Sequence, residues 1–258
     1  IYSSEQITLH NEANCKVEFI INNLKSLNKS LREFNIPLTI INSDGFNDNS
    51  KIIIDLVEER SITNVYWNNN YGFDEQNRDE QVKKLLKKNN INYQTFDDQT
   101  IFSPGAIKTG ENKPYSVFTP FKRRWIENFE LDFLDIEFNY SKKIDTKIIS
   151  NVEDFDFKYQ RTHSVDMSTW KIGEKNALSI LMNYLDEKIY KYSTNRNDPM
   201  LDGTSRLSPY LAVGIISPRR CILEALKLNN FELDSGEKGI TKWVDEIVWR
   251  EFYKNIMF

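Results

Sequence analysis

Residues 63–96 read TNVYWNNNYGFDEQNRDEQVKKLLKKNNINYQTF, and the hydrophobic period changes twice within them. Thr63 to Trp67 is a short run rich in β-branched and aromatic residues, which predicts a strand. Glu75 to Lys88 is a highly charged stretch of helical length, and Ile91 to Phe96 is a second strand-like run. Two strands joined by a helix of ten or more residues require a right-handed crossover and therefore a parallel pairing.

The same alternation extends upstream. Val17, Ile20, Leu24, Leu27, Leu31 and Phe34 recur at three and four, marking an amphipathic helix from Cys15 to Phe34 that Pro37 ends. Leu38 to Ile41 reads as a buried strand closed by the Ser43-Asp44-Gly45 turn, and Lys51 to Arg60 as a further helix. Residues 1–105 are therefore expected to form an α/β domain with a Rossmann-like parallel sheet. A chain that opens on a helix leaves such a sheet one strand short, so the first strand is expected to be missing.

Residues 106–170 carry Pro114 and Pro120 with few clear periods, and are expected to be a linker. Helical patterning returns over 171–258. Leu178, Leu181, Leu185, Ile189 and Tyr192 form one stripe, Ser217-Pro218 is an N-cap followed by proline at the first helical position, and a last helix runs from Thr241. This second domain begins all-helical.

Composition narrows the class. The 258 residues are 40% apolar, 28% charged and 13% aromatic, as in a folded globular protein with room for a sizeable core. A formal charge of −4 argues against indiscriminate nucleic-acid binding but leaves room for a local basic patch. Cys15 and Cys221 are isolated, which excludes a disulfide framework and fits a reducing cytoplasm. No stretch approaches the length of a membrane span. There is no G-x-G-x-x-G, no P-loop and no H-E-x-x-H, and neither His10 nor His163 has partner spacing for a metal or a nucleophilic triad.

Two late segments carry the chemistry: Asp202-Gly-Thr-Ser-Arg-Leu-Ser208 and Trp243-Val-Asp-Glu-Ile-Val-Trp-Arg-Glu-Phe-Tyr253. At about 100° per residue, Glu246, Trp249, Arg250 and Tyr253 share one side of a helix, with Val244, Val248 and Phe252 on the other. By spacing alone this is equally an ordinary amphipathic helix with a Glu-to-Arg pair, and Gly-Thr-Ser equally a simple turn. Lys122-Arg123-Arg124 and Arg219-Arg220 are the basic clusters, and solvated surface is the default reading of both.

In order and separation these two segments resemble the flavin-binding region of the DNA photolyase and cryptochrome family. Val117-Phe-Thr-Pro-Phe-Lys122 and the stretch NNNYGFDEQNRD ending at Asp79 are similar to the same family. The resemblance implies an α/β antenna domain, a connector and a helical FAD-binding domain, and it is greatest to the class I enzymes that repair cyclobutane pyrimidine dimers. It implies that Tyr192, Thr204, Ser205, Arg206, Leu207, Ser208 and Trp243 contact FAD, with Ser208 available as a helix cap and Pro209 at the helix start. Glu246 would hydrogen-bond the damaged pyrimidine pair and stabilise its radical anion, and Trp249 would pack against the flipped lesion. Arg196, Arg250 and Tyr253 would lie at the DNA surface.

Asp74 and Glu75 match positions that bind a 5,10-methenyltetrahydrofolate antenna; a deazaflavin antenna, or none, stays open. The implied activity is light-driven repair, in which excited reduced FAD lends an electron to the dimer and recovers it. A cryptochrome-type photoreceptor without repair, and an inactive partial product, are the alternatives. A monomer acting on damaged DNA is expected, as is a chain continuing past Phe258 to complete the flavin pocket; the 258 residues alone are expected to bind FAD poorly.

Overall fold

The computed structural model describes residues 1–134, 143–160 and 165–258. They divide into two compact units, one of residues 1–96 with 143–160 and 165–173, and one of 97–134 with 174–258. His163 lies outside the described residues.

In the first unit α1 (Ser4–Leu9), α2 (Asn14–Arg32) and α3 (Phe46–Glu59) precede β1 (Asn64–Asn68), α4 (Phe73–Lys88) and β2 (Asn92–Phe96). The strands pair in parallel, Asn64 opposite Asn92 through Asn68 opposite Phe96, with α4 as the crossover. Alternate residues of β1, Val65 and Trp67, turn inward with Tyr93 of β2 onto Val57 of α3 and Val82 and Leu86 of α4. This is the period-2 pattern of a strand meeting the apolar stripes of two helices.

Leu38 to Ile41 is not a strand, contrary to expectation. Its backbone N–H groups are taken by side chains rather than a ladder: Ser150 Oγ accepts from Leu38 N at 2.9 Å and Asn151 Oδ1 from Ile40 N at 2.7 Å. Asn151 Nδ2 donates back to the Ile40 carbonyl at 2.7 Å. One amide side chain thus does for Ile40 what a neighbouring strand would do. Pairing is limited to an isolated parallel bridge between Tyr2 and Asn42. Tyr2, Ile40 and Val152 form a second small core, flanked by Phe155 and Phe157.

The second unit consists of α5 (Phe118–Glu127), a 3-10 turn (Leu131–Leu134), α6 (Glu174–Glu187), a 3-10 turn (Ile189–Lys191), α7 (Tyr192–Asn195), α8 (Ser208–Ala212), α9 (Pro218–Leu228) and α10 (Lys238–Met257). Ser217 caps α9 by accepting from Arg219 N at 3.2 Å. The stretch 106–170 is therefore shared: its first part, including α5, packs with the helices, and residues 143–160 pack with the first unit.

Glu251 of α10 ties these helices to the segment before α5. Only 4% exposed, it accepts from Ile101 N at 2.7 Å, Phe102 N at 3.0 Å and Trp125 Nε1 at 2.8 Å. One turn on, Asn255 Oδ1 accepts from Gly105 N at 2.7 Å. Arg219 of α9 completes the join by donating to the carbonyls of Ile101 (3.1 Å) and Phe133 (3.0 Å). Burial pushes the Glu251 carboxyl up to about 7, against the opposing pull of the three N–H donors and Arg219.

A glycine sets the other end of α10. A Cβ at Gly239 would lie 2.2 Å from the carbonyl oxygen of Ile189 and 2.5 Å from that of Tyr190, so α10 rests directly on the backbone of the second 3-10 turn.

Two outcomes follow from these joins. The folded Glu251 carboxyl keeps its proton from its ordinary 4.5 up to about 7, so the native state binds the extra proton across that window. Its stabilising contribution, about 3 kcal/mol, is present below the window and lost as pH rises through 7. Urea unfolding at pH 5 and pH 8 should show this fall in the unmodified protein and a flatter profile in Glu251→Gln; equal profiles would contradict it. Gly239→Ala should lower stability by about 1–3 kcal/mol through overpacking, read as a lower Tm, and an unchanged Tm would show that α10 can move off the turn.

Candidate functional site

The close approach at Gly239 brings α6, α7 and the first turns of α10 together around three buried rings. Tyr184 lies 5.6 Å from Trp243 and 6.4 Å from Tyr192, centroid to centroid. Tyr184 is 3% exposed, and its hydroxyl is buried without a hydrogen-bond partner among the described residues. Burial pushes its pKa, and that of Tyr192, above the ordinary tyrosine value; the Glu246 carboxylate adds to the effect at Tyr192. The guanidinium of Arg196 sits over the Tyr192 ring at 5.5 Å and forms an ion pair with Glu246. Tyr192, Arg196, Trp243 and Glu246 are thus one neighbourhood.

The 202–208 turn abuts the end of α7. A Cβ at Gly203 would meet Asn195 Cβ at 2.7 Å and its carbonyl oxygen at 2.9 Å, so only glycine permits the approach. Asp202 accepts from Lys188 at 2.5 Å and pairs with Arg206 at 3.0 Å; the Lys188 hydrogen bond, more than any other interaction, holds its carboxyl below the usual range. Leu207 is buried, while Thr204, Arg206 and Ser208 are exposed and Ser205 is half-buried. Ser208 does not cap α8, contrary to expectation: it is the first helical residue, Leu207 holds the cap position, and no side chain caps the helix.

Between α5, α7 and α10 lies a pocket of about 490 Å³. Its cations are Lys122, Arg196, Lys238 and Lys242, its carboxylates Asp245 and Glu246, and its rings Phe118 and Trp249. Lys122 bonds Asp245 at 2.6 Å and Asp234 at 3.2 Å, and Lys242 reaches Asp245 at 3.2 Å. Four cations against these two carboxylates and Asp234 leave one positive charge in excess beside aromatic surface. Trp249 stacks on Phe118 with centroids 3.6 Å apart and planes 10° from parallel, and Tyr253 stacks on it at 5.6 Å. The arrangement suits a flat, anionic ligand such as a nucleotide: rings for the base, cations for phosphate, and a carboxylate to accept from ring N–H groups.

Of the residues singled out from the sequence, Arg196, Glu246 and Trp249 line this pocket, and exposed Tyr253 stands beside it. Arg250 is engaged elsewhere, donating to the backbone carbonyls of Gln99 and Leu211. Lys122 belongs to the pocket although its cluster reads as surface; Phe118 lies in the family-like stretch from Val117 to Lys122 but with no role of its own, and Lys238, Lys242 and Tyr184 were not singled out. The spacing of Phe118 and Lys122, one helical turn apart, is the signal that marks them as one face. Arg219 and Arg220 serve the fold, the latter pairing with Glu224 at 2.8 Å.

In the first unit Asp74 and Glu75 open α4. Asp74 is exposed, whereas Glu75 is half-buried and lines a hollow of about 280 Å³ with Asn70, Gln6 and Arg78. Among the described residues no group of His, Cys, Asp and Glu could hold a metal ion, and no helix is long and apolar enough to cross a membrane.

Comparison with known proteins gives these positions a context. The chain is 32% identical over 257 residues to the deoxyribodipyrimidine photo-lyase of Escherichia coli, matching all of this chain and 53% of that protein. It is 29% identical over 279 residues to the enzyme of that name in Neurospora crassa, covering 45% of it. The chain thus spans about half the length of the curated relatives it matches. The crystal structure of a class III photolyase from Agrobacterium tumefaciens superposes with a TM-score of 0.81 at 25% identity, over 95% of this chain and 50% of that one. A Synechocystis cryptochrome shares the fold at a TM-score of 0.67 and 17% identity, over 92% of this chain and 50% of that one. The family profile described as DNA photolyase matches residues 2–139, more than half of the chain, and the chain is accordingly a member of the DNA photolyase family.

Proposed function

We propose that this chain serves light-dependent repair of DNA as a deoxyribodipyrimidine photo-lyase, with the pocket between α5, α7 and α10 receiving a pyrimidine dimer turned out of the duplex. The observation that carries this reading is the placement of Glu246 and Trp249 in one cationic, ring-lined pocket with Arg196. Base extrusion is the general solution when chemistry must reach an atom inside a duplex, and photolyases are among the enzymes that use it. Trp249 provides a stacking surface for the lesion. Glu246, oriented by Arg196, accepts from the pyrimidine N–H groups and offers its charge-assisted hydrogen bond to the dimer. Lys122, Lys238 and Lys242 take flanking phosphates, an assignment the positive excess supports. Tyr253 belongs to the same DNA surface, and Arg250 supports it from behind by fixing the backbone at Gln99 and Leu211.

The cofactor in this reading is FAD, and the residues present fit it. The Tyr184 hydroxyl, buried and unpartnered beside Tyr192 and Trp243, is the polar group a bound ligand would satisfy. Thr204, Ser205, Arg206, Leu207 and Ser208 form a hydroxyl-bearing, singly cationic turn suited to a pyrophosphate. When bound and reduced, FAD supplies under light the single electron that opens the cyclobutane bonds and takes it back afterwards. The chain's residues bind, orient and exclude water. For the antenna we favour 5,10-methenyltetrahydrofolate, with Glu75 as the acceptor for pterin N–H groups and Asp74 at its margin. We also read the protein as a cytoplasmic monomer; its isolated cysteines fit the reducing compartment.

Illumination of the protein with reduced FAD and an oligonucleotide carrying a thymine dimer should remove dimers in light and not in darkness. Glu246→Gln should slow repair by roughly ten- to hundredfold, the equivalent of one charged hydrogen bond of about 1.5–3 kcal/mol. Bound, photoreducible FAD with no loss of dimers would favour a photoreceptor over a repair enzyme.

A further inference from the structure

α5 and α10 meet in the pocket through two rungs. Lys122 reaches Asp245 at 2.6 Å, and one turn away on each helix Phe118 lies flat on Trp249 at 3.6 Å. Phe118 is also held edge-on by Phe252, 5.8 Å away at 71°, and Phe252 is 4% exposed. Phe118 is thus fixed by two aromatic neighbours on a helix anchored by an ion pair. Trp249 in turn is stacked by Tyr253 and met edge-on by Phe252 at 5.6 Å. The indole has several rotamers open to it on a bare helix face, and binding a base would require freezing one of them.

We infer that Phe118 is a positioning residue for lesion recognition: it locks the Trp249 indole before DNA arrives and makes the stacking surface two rings deep. The inference rests on the reading of this pocket as the dimer site. It assigns a recognition role to an α5 side chain, whereas the sequence places all recognition on the helices after residue 171. A locked ring loses less freedom on binding, so its effect falls on discrimination for the extruded dimer and not on the phosphate contacts shared by damaged and undamaged duplexes.

The test compares affinity for a duplex oligonucleotide with one thymine dimer against the same duplex undamaged, for the unmodified 258-residue chain, Phe118→Leu, Phe118→Tyr and Trp249→Ala. Phe118→Leu should lower the preference for damage by roughly three- to tenfold with affinity for undamaged DNA unchanged, and Phe118→Tyr should restore it to within about twofold, because tyrosine keeps the flat face. Trp249→Ala should lose more, about 5- to 100-fold. An unchanged or increased preference in Phe118→Leu alongside a loss in Trp249→Ala overturns the role of Phe118 and leaves the dimer site standing. An equal loss of affinity for both duplexes in Phe118→Leu, accompanied by a lower Tm, also overturns it, in favour of a purely structural ring. Absence of any preference for damage in the unmodified chain overturns the dimer site and the inference together.

Discussion

The helical unit depends on a carboxyl group taken out of water. Glu251 is nearly fully buried, and three N–H groups from two separate segments converge on its two oxygens. A buried carboxyl group is costly unless its oxygens find donors, so residues 101 and 102 and the Trp125 indole are held wherever Glu251 is. That requirement places α5 against α10. Because Phe118 and Lys122 lie on α5, it also places half of the candidate pocket.

The other half is placed by an absence of side chain. Gly239 lets α10 settle on the backbone of Ile189 and Tyr190, which sets α7 beside the α10 residues that follow. Arg196 can then reach Glu246, and Tyr192 can share an aromatic cluster with Trp243. Charge in the pocket is organised in pairs, Lys122 with Asp245 and Arg196 with Glu246. Each pair keeps a cation at the pocket wall in a defined direction while limiting the repulsion that four cations would otherwise build. The Arg196–Glu246 pair is partly exposed and contributes modestly to stability, so its value lies in orientation.

The parallel β1-α4-β2 unit was legible in the sequence because its period changes sharply at both ends, and period is a local property. The stripe of Glu246, Trp249 and Tyr253 was legible for the same reason. Leu38 to Ile41 misled because its hydrogen-bond partners, Ser150 and Asn151, are side chains more than a hundred positions away. Lys122 and Arg124 look alike in a run of basic residues. They differ only in that Lys122 faces Asp245 across a helix contact, while Arg124 pairs with Glu127 on its own exposed face. Glu251 and Arg250 were likewise hidden: a charged residue in a helix reads as solvent-facing until the element packed against it is known.

If the pocket around Trp249 receives an extruded pyrimidine dimer, damaged DNA should perturb that indole above the others. The chain has five tryptophans, and each indole N–H gives a separate signal in an amide-type NMR spectrum of the labelled protein. Titration with a thymine-dimer oligonucleotide should move the Trp249 signal strongly, identified by its absence in Trp249→Phe, and leave Trp67 of the first unit in place. Movement of Trp249 that is no greater with damaged than with undamaged DNA would show that the dimer binds elsewhere.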